Sequence, residues 1–182
     1  MAETREIHEE ELEKEPEEEL KKDQPRLQIG VIGAGECGAE VGACAEETGR
    51  LIAVFGAVLV CGGKGGVMEA ACRGAQQAGG LTVGILPGYA GENAFCTVRV
   101  GTGLGVARNA VLVGSSDALI AIGGRHGTLS EIAMARVLGK EVFGLNTWEI
   151  DGVVACKTPE VAVRSARDAA RRSLLSGTRP LR

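Results

Sequence analysis

From residue 27 onward the chain alternates between two hydrophobic patterns. Short runs of consecutive apolar residues, rich in Val, Ile and Leu, recur at 27–32 (LQIGVI), 57–61 (AVLVC), 81–86 (LTVGIL), 118–122 (ALIAI) and 142–145 (VFGL), with weaker runs at 97–100 and 153–156. Between them the spacing becomes helical. Val41, Cys44, Thr48, Leu51, Ile52 and Phe55 share one face of residues 39–55, and Val67, Met68, Ala71 and Ala75 one face of residues 66–78. Further helices are expected at about 104–113, 128–138 and 159–175. Gly56 and the pair Gly79-Gly80 stop the first two helices. Strands that are apolar at successive positions belong to a sheet covered by helices on both faces. Strand–helix alternation then predicts a single doubly wound α/β domain, with a mostly parallel, Rossmann-like sheet, over residues 27–182. Ligands of such sheets bind beyond the carboxyl ends of the strands, where the strand order switches.

Residues 1–26 break this pattern. They carry 11 acidic and five basic side chains, and their apolar residues, Ile7, Leu12 and Leu20, are too sparse for a buried stripe. An acidic, solvated, disordered arm is expected there. The net charge of −4 therefore belongs to this arm, because the remaining 156 residues carry 13 acids and 15 bases. A near-neutral body with one Trp, one Tyr and three Phe has neither the basic footprint nor the stacking platform of a nucleic-acid binder. No apolar run is long enough to cross a membrane. The acidic start resembles no secretory or transit signal, so a cytoplasmic location is expected. The six cysteines form no C-x-x-C pair and lie in no His–Cys cluster of zinc spacing, which reads as reduced thiols with no metal site. Ala- and Gly-rich helix surfaces suit close subunit packing, and a homodimer or homotetramer is expected.

The candidate chemistry lies where strands end in glycine-rich turns that open helices. There are three: Gly33-Ala34-Gly35-Glu36-Cys37-Gly38, Gly62-Gly63-Lys64-Gly65-Gly66-Val67-Met68-Glu69, and Gly123-Gly124-Arg125-His126-Gly127-Thr128-Leu129-Ser130-Glu131. Glycine lets a ligand approach the backbone, and the unpaired N–H groups at a helix start favour an anion. Three such turns predict a cleft for a phosphorylated ligand. Glycines in these places also serve tight turns and helix packing. A dinucleotide site is not expected, since the second strand ends at Cys61-Gly62-Gly63 without the acid that holds ribose hydroxyls. Lys64 does not sit in a Walker A frame either.

The polar residues around the turns admit two readings each. Thr128 and Glu131, three apart, fit a phosphate contact with an acid one turn further in, or a helix cap and its partner. Arg108, followed by Asn109 in an otherwise apolar helix, fits a polar-face arginine, or a cleft arginine paired with phosphate or with Glu131. Glu69 reads as a contact to ligand hydroxyls or as a solvated helix acid. Met68 reads as core or as a ligand contact, and His126 as an exposed loop histidine, a proton donor or a phosphate contact.

Taken in order, Val60-Cys61-Gly62-Gly63…Gly66-Val67-Met68-Glu69-Ala70, Gly103…Ala107-Arg108-Asn109 and Ile122-Gly123-Gly124…Gly127-Thr128-Leu129-Ser130-Glu131 resemble a Rossmann-like superfamily. Its members are often labelled "possible lysine decarboxylase". They include the Lonely Guy-type phosphoribohydrolases and the molybdenum cofactor carrier proteins. The resemblance covers about residues 27–175. In the hydrolases it implies cleavage of the N-glycosidic bond of nucleoside 5′-monophosphates, with a catalytic Arg and Glu that fall on Arg108 and Glu131. No metal or cofactor is required for that reaction, and pyridoxal chemistry has no partner residues here.

Three departures separate the chain from the hydrolases. They read P-G-G-x-G-T-x-x-E, whereas here Ile122 replaces the proline and two residues, Arg125 and His126, intervene before Gly127. Cys61 and Glu69 stand where the hydrolases have glycines, and Asn109 follows Arg108 in place of lysine. An inserted residue moves Glu131 relative to the phosphate turn, and a misplacement of about 1 Å costs on the order of 10²-fold in rate. These departures resemble the molybdenum cofactor carrier branch, which binds a phosphate-bearing pterin without turning it over. The resemblance therefore implies a binding protein for a phosphorylated heterocycle, with the molybdenum cofactor as cargo or a nucleotide as ligand. The alternative is a nucleoside 5′-monophosphate phosphoribohydrolase. The expected ligand contacts are the glycines at 33, 35, 62, 63, 66, 123, 124 and 127, with Met68, Glu69, Arg108, Asn109, Thr128 and Glu131.

Overall fold

A computed structural model describes residues 25–175. The strands are β1 (Gln28–Gly33), β2 (Val58–Cys61), β3 (Thr82–Leu86), β4 (Val98–Gly101), β5 (Ala118–Ile122), β6 (Val142–Leu145) and β7 (Val153–Ala155). The helices are α1 (Ala39–Val54), α2 (Val67–Gln77), α3 (Arg108–Ser115), α4 (His126–Val137) and α5 (Pro159–Leu175). All the strands pair in parallel in one sheet ordered β4-β3-β2-β1-β5-β6-β7. The sheet is the predicted doubly wound one. The acidic arm expected at 1–26 falls almost wholly outside the described residues, as does the end of the chain after 175.

The consecutive apolar positions of each strand feed two cores. On one face Ile29, Val31, Leu59, Cys61, Ile120 and Ile122 pack with Ile52, Ala71 and Ala75 of α1 and α2 and with Val163 and Ala166 of α5. On the other, Ile32, Val58, Val60, Leu119 and Ala121 pack with Leu112, Val113, Ile132 and Ala135 of α3 and α4. Successive strand side chains point to opposite faces, so a strand buried on both sides must be apolar at every position.

Two local departures matter for the site. The helix expected at 104–113 is divided into a single 3₁₀ turn, Gly105–Ala107, followed by α3 from Arg108. Gly103 and Gly105 take left-handed φ values of +67° and +56°, which an α-helix does not continue through. Helix α4 begins at His126, two residues earlier than expected, so Thr128 lies inside its first turn. The glycines of α1 and α2 face each other within the chain: a Cβ at Gly49 would collide with the Ala71 carbonyl and one at Gly74 with the Glu46 carbonyl. Close packing of α1 against α2 is made at these two glycines.

Candidate functional site

The strand order switches between β1 and β5, where Gly33 lies opposite Ile122. The turns after β1, β2 and β5 open there onto one cleft of ≈ 500 Å³. Of the expected residues, Gly33, Gly35, Gly62, Met68, Arg108, Asn109, Gly127, Thr128 and Glu131 line it. Val31, Ile32, Pro87 and Val106 supply apolar walls, and Glu36 and Arg125 complete the ionisable lining among the described residues.

Arg108 and Glu131 form the buried charge centre of this cleft. Helix α3 starts at Arg108 and α4 carries Glu131 in its second turn, so the two helices on this face bring together residues 23 apart. Arg108 Nη1 donates to Glu131 Oε1 at 3.4 Å, and their side chains are 12% and 7% exposed. Burial pushes the Glu131 carboxyl up to about 7, and Arg108 only partly offsets this. A carboxyl poised there exchanges its proton near neutrality. Of the two readings for Arg108, the cleft arginine holds. The reading of Glu131 as a cap partner does not, since α4 has Arg125 at its N-cap and no side-chain cap.

The guanidinium of Arg108 also sits against Gly62. A Cβ at Gly62 would come 2.5 Å from Arg108 Nη1, so only glycine lets the arginine settle there. Asn109 reaches the other way. Its Nδ2 donates to Ser130 Oγ at 3.1 Å, and that hydroxyl donates to the Gly127 carbonyl at 2.7 Å. Asn109 thereby ties α3 to the first turn of α4. With no side-chain cap, the first-turn N–H groups of α4, including Gly127 and Thr128, remain unused by a cap.

The other expected residues lie outside the lining. Gly63 packs on β3, where a Cβ would come 2.6 Å from Leu86. Gly66, at φ +63°, sits against the first turn, where a Cβ would come 2.5 Å from the Ala34 carbonyl oxygen, which accepts the Val67 N–H. Gly123 donates to Leu145 and accepts from Thr147, and Gly124 packs on Thr128. Glu69 lies beside Gly65 at the edge of the second turn. His126 is exposed, its ring 6.4 Å from that of Trp148, and Lys64 donates to the Gly91 carbonyl.

Sequence reasoning missed Arg125 and Glu36 as cleft residues. The signal for Arg125 was present in the additional residue between Gly124 and Gly127. Nothing distinguished Glu36 from a solvated acid. No helix among the described residues is long and apolar enough to cross a membrane.

Residues 26–173 match the SLOG cluster4 family (LDcluster4). An uncharacterised protein of Archaeoglobus fulgidus is 51% identical over 139 residues, 75% of this chain and 92% of its own length. The molybdenum cofactor binding protein of the phototrophic bacterium Rippkaea orientalis superposes with a TM-score of 0.75 at 36% identity, covering 79% of this chain and 97% of that one. The molybdenum cofactor carrier protein of Chlamydomonas reinhardtii gives 0.76 at 31% identity, covering 81% and 99%.

Proposed function

The chain belongs to the SLOG cluster4 family, and on that premise we propose that it binds a phosphorylated heterocycle, the molybdenum cofactor or a nucleotide, without turning it over. The observation that carries this reading is the convergence of three strand-end turns, Arg108 and Arg125 on one cleft at the strand-order switch. The first-turn N–H groups of α4 at Gly127 and Thr128 donate to the phosphate, with Arg108 and Arg125 as countercharges. Close approach to the backbone is available at Gly35, where a Cβ would meet nothing within 4 Å. The heterocycle lies among Met68, Pro87 and Val106. Two solved relatives of 36% and 31% identity are a molybdenum cofactor binding protein and a molybdenum cofactor carrier, which supports the cofactor as cargo.

Glu131 decides between binding and hydrolysis. The residue is 6% exposed, its carboxyl takes up a proton near neutrality, and Arg108 engages it. In a binding protein it holds Arg108 against Gly62 and, once protonated, frees the guanidinium's charge for phosphate. In a phosphoribohydrolase the same carboxylate would orient water at an oxocarbenium-like centre. Incubation with AMP separates the two. Saturable binding with no free adenine, weakened by Arg108→Ala, is expected. Adenine release at ordinary enzyme rates, abolished in Glu131→Ala, would overturn the binding-only reading.

A further inference from the structure

Behind the second glycine turn, outside the lining of the cleft, the fold gathers three cysteines that the sequence scatters. Cys61 ends β2, Cys72 lies in α2 and Cys96 sits in the loop before β4. Cys61 Sγ is 3.4 Å from Cys72 Sγ, Cys72 Sγ is 4.0 Å from Cys96 Sγ, and all three sulfurs lie within 4.8 Å of one another. A thiophilic cation bound at about 2.3 Å from each sulfur needs sulfurs roughly 4 Å apart. The trio needs only side-chain adjustment to meet that.

The surroundings are built around these sulfurs. The Gly63 N–H donates to Cys61 Sγ at 3.3 Å, the main-chain contact that stabilises a ligating thiolate. Strand β3 has glycine beside the cluster, and a Cβ at Gly84 would come 2.8 Å from Cys96 Sγ. The Cys96 loop is pinned by Asn93, whose N–H donates to the Gly63 carbonyl at 2.8 Å and whose Nδ2 donates to the Lys64 carbonyl at 3.0 Å. Cys61 and Cys72 are buried, whereas Cys96 is half-buried and gives the way in.

We propose that Cys61, Cys72 and Cys96 form a trigonal all-sulfur site for a soft closed-shell cation, copper(I). This lies beyond the phosphate-cleft reading and is independent of it. Thiolate donors select soft metals. Among the described residues no His, Asp or Glu joins the cluster. Zinc, which takes four ligands in structural sites, is therefore disfavoured against three-coordinate copper(I).

The test uses the full-length protein without oxygen, titrated with copper(I) against a copper(I) chelator and, in parallel, with zinc(II). One copper per chain, coordinated by three sulfurs in X-ray absorption, is expected. Losing a residue that merely supports a metal ligand costs roughly 10–100-fold in affinity, so Cys96→Ser, which removes a ligand, should lose at least that much. Cys37→Ser, at an exposed cysteine outside the cluster, should bind as wild type does. Cys72→Ser is checked for folding by circular dichroism. If it unfolds, Cys96→Ser at the half-buried position still decides. No copper retained against the chelator, unchanged binding in Cys96→Ser, equal loss in Cys37→Ser, or tighter binding of zinc with a nitrogen or oxygen ligand would each overturn the assignment.

Discussion

The second and third glycine turns both open on a Gly-Gly pair and do different work. In the third, after β5, Gly123 and Gly124 shape the turn, while Arg125, Gly127 and Thr128 reach the cleft. In the second, after β2, only Gly62 and Met68 do, and the part of Gly62 is to leave room for Arg108. Gly63 and Gly66 are spent on packing against β3 and the first turn, whose Ala34 carbonyl takes the first N–H of α2. A helix start that has already given its amide away has less to offer an anion. Glycine after a parallel strand thus marks either a ligand approach or a backbone contact, and only the neighbours in space tell which.

Substitutions sharpen that contrast. The largest effect is expected from Gly66→Ala, which forces a left-handed residue and a clash with main chain. A strained backbone position alone costs on the order of 1–3 kcal/mol, and the clash adds to it. Chemical denaturation should show the loss, with ligand affinity falling only as the fold does.

Arg108→Ala should act in the opposite sense. Glu131, already near neutrality, protonates and spares the fold, while the ligand loses a charge-assisted hydrogen bond of roughly 1.5–3 kcal/mol. Calorimetry should therefore find AMP binding weakened by about 10- to 100-fold, with a near-native melting temperature.

Glu131→Gln isolates the acid. The folded state holds the carboxyl proton up to a pH of about 7, and the ordinary carboxyl value is 4.5. Between these values the folded chain binds a proton that the unfolded chain does not. Stability is therefore greatest below the lower value, falls as pH rises toward the upper one and is level above it. At ~1.4 kcal/mol for each pH step of one between the two values, the fall is at most about 3.5 kcal/mol, and the glutamine variant should lack it. The smallest effect is expected at exposed Arg125. Arg125→Ala should weaken AMP binding several-fold at low salt, a difference that shrinks as salt screens it, with no change in melting.

Much of the fold was legible in the sequence because burial on both faces leaves strands no polar positions. Ile29 and Val31 serve one core and Ile32 the other, so the run reads as one apolar block. What was not legible depends on contacts between distant segments. The left-handed turns at Gly103 and Gly105 delay α3 to begin at Arg108, and the sequence records only that glycines are present. Asn109 reads as a ligand contact in the sequence; in the fold it lines the cleft, and its anchoring of Ser130 is what the sequence does not announce. Cys61, Cys72 and Cys96, on a strand, a helix and a loop, have no local spacing that announces their meeting.

Mass spectrometry of whatever small molecule leaves the full-length protein on denaturation, after purification without oxygen or added ligand, tests the cleft most directly. A phosphate-bearing heterocycle at up to one per chain, absent from the Arg108→Ala protein, is the predicted result. The same molecule in equal amount in that variant, or a wild-type protein that carries none and binds none when the cofactor or AMP is supplied, would contradict it.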